Sequence, residues 1–133
     1  MLQLKPIAAR HGHNAMIRLI VLYNLPPGSD EDEFLRWRLT DHQESNASMP
    51  GVLRTDFSHV DAAWAQKPGR QTAPAPYRFM TIADWPDKES FEKAFYDPKM
   101  QAELQENLKR IANPVFLIAE VLAESKTVPA QED

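Results

Sequence analysis

The chain has 133 residues, a formal net charge of −4 and no cysteine, which suits one domain and excludes disulfides and thiolate metal sites. No block of Lys or Arg offers the basic footprint that phosphate binding needs, so nucleic acid is not expected as a partner. No apolar run approaches the roughly 20 residues of a membrane span, and "MLQLKPIAARHGHNA" lacks the apolar stretch of a signal peptide. A cytoplasmic protein with no membrane partner is expected.

Proline and glycine cut the chain into clear pieces. Residues 1–15 read as a disordered extension, with His11 and His13 unstructured in it and no metal site between them. "MIRLIVLY" (16–23) is a run of β-formers and reads as a strand, which "NLPPG" turns. "SDEDEFLRWRLTDHQESN" (29–46) reads as a helix, capped by Ser29, with Asp30, Glu31 and Asp32 where the helix dipole favours negative charge. That acidic run needs no metal to explain it. "MPG" ends the helix, and "VLRTDFSHV" (52–60) alternates as a second strand. Residues 61–76 form a long loop that leaves Trp64 exposed, and "YRFMTIADW" (77–85) is a third strand with Trp85 in the core. "DKESFEKAFY" (87–96) makes a short helix capped by Asp87. The next helix, 97–113, has Asp97 as its cap and Pro98 at the preferred first position. Met100, Leu104, Leu108 and Ile111 form its core stripe. "PVFLIAEVL" (114–122) is the last strand, and 123–133 reads as a disordered tail. The order βαββααβ over 16–122 predicts an α+β, ferredoxin-like domain with a four-stranded antiparallel sheet.

Strands one and four are apolar on nearly every residue, the pattern of strands buried on both faces. The predicted helices cover one face of a four-stranded sheet. A second copy packed sheet to sheet would cover the other, so a homodimer is expected.

The element order, Trp37-x4-His42 on helix one and "MPGVLRTDF" resemble the EthD-like proteins of the dimeric α/β-barrel superfamily. The resemblance runs from about Met16 to Leu122. RedY/HapK-type proteins of pigment biosynthesis share that superfamily. The long 61–76 loop and "DHQESN" depart from the EthD pattern, which bears on the substrate more than on the fold. The resemblance implies a homodimer whose two sheets face each other as a barrel, with a cavity in each protomer and no tightly bound cofactor. Relatives include cyclases, decarboxylases and lactone isomerases acting on small organic molecules.

Helix one carries polar groups where oil is expected. Taking about 100° per residue from Phe34, Leu35 lies at about 100° and Leu39 at about 140°. Within that arc fall Arg38 at about 40°, His42 at about 80° and Asn46 at about 120°, while Trp37 stands at its edge, near 300°. Buried polar groups need partners. A structural histidine bonded to a backbone carbonyl or a strand side chain, with Arg38 reaching out to the helix edge, is one answer. The other is a pocket. There His42 would exchange protons near neutral pH, and the fork of Arg38 would hold an oxygen-rich ligand. Trp37 and Asn46 would flank them, with Tyr23, Arg54, Asp56, His59 and Tyr77 as companions from the strands. Thr55, Phe57 and His59 share one face of strand two, Arg54, Asp56 and Ser58 the other. The order of the elements leaves open which face meets the pocket. The expected function is cofactor-independent acid/base chemistry on an aromatic, lactone or polyketide-like substrate. The alternative is a non-catalytic binding or stabilising protein on the same barrel. No phosphate loop, His/Glu metal motif or nucleophile elbow is present.

Overall fold

The computed structural model describes residues 2–7, 15–69 and 71–129. In chain order they form β1 (Leu2–Ile7), β2 (Ile17–Asn24), α1 (Glu31–Trp37), a π-helical segment (Arg38–His42), α2 (Gln43–Ala47), β3 (Arg54–His59), β4 (Ala63–Trp64) and β5 (Thr72–Ala73). Then come β6 (Phe79–Trp85), α3 (Lys88–Phe95), α4 (Pro98–Leu108), β7 (Ala112–Glu120) and β8 (Glu124–Pro129). The main sheet runs β3-β6-β2-β7, antiparallel throughout. This is the ferredoxin-like architecture expected from the order of elements. β4 and β5 make a small hairpin inside what reads as a plain loop.

The helices cover the sheet face that carries Ile17, Leu19, Val21 and Tyr23 of β2 and Phe79 and Ala83 of β6, all buried. Phe91, Ala94 and Phe95 of α3 and Phe34 of α1 complete this core. Caps fix where the helices start. Asp87 accepts from the Ser90 amide at 2.8 Å and Asp97 from the Met100 amide at 3.0 Å. At helix one the cap is Asp30, which accepts from the Glu33 amide at 3.1 Å, not Ser29. The Ser29 hydroxyl donates instead to the Pro26 carbonyl at 2.6 Å and closes the preceding turn.

The Pro50-Gly51 turn is clamped from below. Gly51 has φ +75°, and a Cβ there would stand 3.5 Å from both the Trp85 ring and Ser90. Trp85 is 0% exposed and its indole N–H donates to the Pro50 carbonyl at 3.0 Å. The turn thereby ties the end of α2 to β6.

The opposite sheet face holds Ile20 and Leu22, paired with Ile82 and Met80 on one side and with Leu117 and Val115 on the other. These residues are half-buried, and Leu117 is 48% exposed. β2 therefore alternates buried and half-buried residues within one chain, and its apolar outer face is left open. One edge of that face is ionic. Arg18 donates to both carboxylate oxygens of Asp84, at 2.8 and 3.1 Å, and Arg54 to one of them at 3.3 Å. Arg54 also pairs with Asp56. So Arg54, Asp56 and Ser58 belong to the outer face, and Thr55, Phe57 and His59 to the helix side.

The two chain ends differ from the reading of unstructured tails. β1 and β8 pair antiparallel from Leu2↔Pro129 to Ile7↔Glu124. Both segments are short and each carries a proline, Pro6 and Pro129, which argues against a strand when either is read alone. Each satisfies the other's backbone groups across almost the whole length of the chain, a non-local pairing that inspection of either tail alone does not reveal. His11 and His13 lie outside the described residues.

Candidate functional site

Helix one is not regular. From Arg38 to His42 it opens into a π turn, in which the Gln43 amide donates to the Arg38 carbonyl five residues back. Such single wide turns are uncommon and gather at functional sites. Leu39, placed by the regular helical wheel inside the buried arc, is 58% exposed, whereas Arg38 is 1% exposed.

The turn roofs a cavity of about 90 Å³ between helix one, α4 and the helix-side face of the sheet. Tyr23, Trp37, Arg38, His42 and Asn46 all line it, together with Met49, Thr81, Leu104, Asn107 and Phe116. Five of the nine residues singled out in the sequence are thus brought together. Arg54 and Asp56 are not, because they lie on the outer face with Asp84, and neither are His59 and Tyr77. His59 is exposed at the end of β3, its ring centroid 5.8 Å from that of Phe79, and Tyr77 lies half-buried just before β6. His59 is on the correct face of its strand, but too far along it. Phe57, one step in, is the residue of β3 that reaches the site.

Arg38 does not reach out to the helix edge. It points into the protein, donating to the Thr81 hydroxyl at 3.0 Å and to the Gln43 side-chain carbonyl at 2.7 Å. Its guanidinium lies 4.2 Å from the Phe57 ring centroid, a cation–π contact. Tyr23 stands at an irregularity in the β2–β7 ladder, where the register shifts between Leu22 and Asn24. On β7 two residues, Asn113 and Pro114, stand opposite Tyr23, and Asn113 has φ +53°. Such bulges re-aim side chains. Burial raises the Tyr23 pKa, opposed by the neighbouring Arg38 charge. Burial also lowers that of Arg38, opposed by Tyr23.

His42 has no hydrogen-bond partner among the described residues, neither the carbonyl nor the strand side chain expected of a structural histidine. It stacks on Trp37 instead, with ring centroids 4.4 Å apart and 23° between planes. Arg110 lies over the same indole, 4.3 Å from its centroid. Burial first, then the charges of Arg38 and Arg110, depress the His42 pKa to about 4. At neutral pH its imidazole is uncharged.

Reading the sequence missed Thr81, Gln43, Phe57 and Arg110 as supports of the site. Thr81 carried a signal: it is a lone hydroxyl between Phe79 and Ala83 on the buried side of β6, and such a group needs a partner.

The family model for the REDY-like protein HapK matches residues 17–122. No curated protein matches the chain in sequence. Among solved structures, the chain is similar to an EthD family protein from Bacillus halodurans, at TM-score 0.61 and 19% identity, over 80% of this chain and 99% of that one. It is also similar to a dimeric ferredoxin-like protein from Thermobifida fusca, at TM-score 0.55 and 19% identity, over 84% and 100% of the two chains. A hydroxynitrile lyase from Passiflora edulis aligns at TM-score 0.64 and 11% identity, over 81% and 94%. At these identities the likeness is one of fold.

Proposed function

Because the chain belongs to the REDY-like HapK family, we propose that it acts in small-molecule metabolism, as a homodimer whose protomers each bind an organic molecule beside His42. The reaction is a proton transfer that needs no cofactor. The observation that carries this reading is a neutral imidazole sharing one cavity with a buried guanidinium and a tyrosine hydroxyl. Neutral His42 accepts a proton from an acidic C–H or O–H of the ligand, and the charge left on the ligand's oxygen develops near Arg38 and Tyr23. A base held near pKa 4 is weak, so the substrate has to be acidified by that oxygen site. A negative ligand also offsets the Arg38 charge, which lets His42 hold a proton more readily.

Size narrows the substrate. Pockets for drug-sized ligands span roughly 300–1,000 Å³, and this cavity is about 90 Å³. An aromatic or polyketide-like molecule would enter by its reacting end only. The open apolar outer face and the description of one structural relative as dimeric support a sheet-to-sheet homodimer. A second reading, a binding or stabilising protein without catalysis, is favoured by one observation: no Asp or Glu lines the cavity to make His42 more basic.

Hydrogen–deuterium exchange at carbon separates the two. Butanone and γ-butyrolactone in heavy water, followed by proton NMR, are expected to lose their acidic C–H signals at least about tenfold faster with the protein than in buffer. His42→Gln should abolish the gain. Exchange no faster than buffer for either probe would leave the non-catalytic reading.

A further inference from the structure

Arg38 stands out in its charge balance. It is 1% exposed, and guanidinium does not shed its proton in proteins. The ion pairs among the described residues involve Arg18, Arg54, Arg78 and Lys109, and none involves Arg38. Its partners, the Thr81 hydroxyl, the Gln43 amide and the Phe57 ring, are all neutral, and so is the neighbouring Tyr23 phenol, whose pKa burial raises. Asp84 is buried to the same degree on the other side of the sheet, and it has two arginines. Buried charges are normally paired, because an unpaired one carries its whole desolvation cost. Here the unpaired cation borders a cavity whose lining contains no acidic residue.

We propose that the ligand supplies the missing counter-charge: the cavity takes a small organic acid, with its carboxylate against Arg38 and its apolar remainder against Leu19, Val21 and Phe116. This rests on the cavity being the ligand site, as argued above, and adds the substrate class. A planar carboxylate suits the guanidinium fork, and the bond is charge-assisted. The volume of about 90 Å³ is below the roughly 150 Å³ of a cavity that encloses benzene. A chain of a few carbons fits inside, and a longer acid extends through the opening.

The test compares butanoate with butanamide, which have nearly the same shape and differ in charge, by NMR titration of the whole protein. Butanoate is expected to bind at least about tenfold more tightly, a difference of about 1.4 kcal/mol. In Arg38→Met the ratio should fall to about one, and the melting temperature should hold or rise, since an unpaired buried charge has been removed. Arg38→Lys, which keeps the charge, should retain part of the preference and covers the case in which the methionine variant does not fold. Equal binding of acid and amide to the parent would overturn the anion assignment alone. Binding of neither would overturn the cavity as a ligand site. A preference for butanoate that survives Arg38→Met would place the anion elsewhere. If a carboxylate of a second copy met Arg38, butanoate would not bind and Arg38→Met would dissociate the dimer, which also refutes the proposal.

Discussion

Trp85→Ala is expected to cost about 3–5 kcal/mol in urea denaturation, among the largest losses a single truncation in this core can give. The ring is fully buried and packs edge-on against Phe91, with centroids 5.1 Å apart. Its removal leaves a hole that the surrounding sheet and α3 fill only in part. It also frees the Pro50 carbonyl and the turn at Gly51, which the indole touches. Asn46 and Met49, just before that turn, line the cavity, so the variant should lose ligand affinity along with stability. Trp64→Ala is the control, because that ring is 76% exposed and its loss should change stability by under about 0.5 kcal/mol. A cost below about 1.5 kcal/mol for Trp85→Ala would mean that the turn and the core are not coupled as described.

In the sheet-to-sheet homodimer proposed above, Ile20→Glu is expected to convert the dimer into a monomer. Ile20 sits in the middle of the open sheet face, between Ile82 and Leu117. Two copies packed through this face would bury two unpaired carboxylates at the centre of the contact, a cost of several kcal/mol. Every 1.4 kcal/mol is a factor of ten in dissociation constant, so the change should exceed about a thousandfold. Light scattering should then give a mass near 15.2 kDa in place of twice that value. Leu39→Glu, an equally drastic change on the exposed side of helix one, should leave the parent's mass unchanged. A variant at Ile20 that keeps the parent's mass would move the interface to another surface.

Much of this was legible in the residues. Runs of β-formers marked β2, β6 and β7, and Asp87 and Asp97 marked their helix starts, because cap chemistry is local. The helical wheel placed Arg38, His42 and Asn46 on the buried side of helix one, and all three line the cavity. What escaped was geometry that a regular period does not encode. The π turn at Arg38–His42 is one such feature, and Leu39, at the far edge of the arc on the wheel, proves 58% exposed. Ser29 and Asp30 both have capping side chains, and the turn at Pro26 decides which one is free to cap. His59 shares a face with Phe57, but distance along β3 settles which of them meets Arg38. The β1–β8 pairing joins segments more than a hundred residues apart, beyond the reach of any local pattern.

The electrostatic state of His42 is the feature on which the site depends most. Its folded pKa, about 4, lies below the ordinary value of 6.5. Its contribution to stability is therefore fully present above pH 6.5 and is lost as the pH falls through about 4, where the folded ring at last takes up a proton. Water reaching the half-buried ring keeps that contribution to about 1–2 kcal/mol. The direct measurement is a nitrogen-15 NMR titration of the ligand-free protein, with the resonance assigned through His42→Gln. An imidazole that stays neutral down to about pH 4 is the result expected of a ring held in a cavity with the unpaired charge of Arg38. A titration midpoint at or above 6.5 would show a ring bathed in solvent or facing a carboxylate, and would contradict that arrangement.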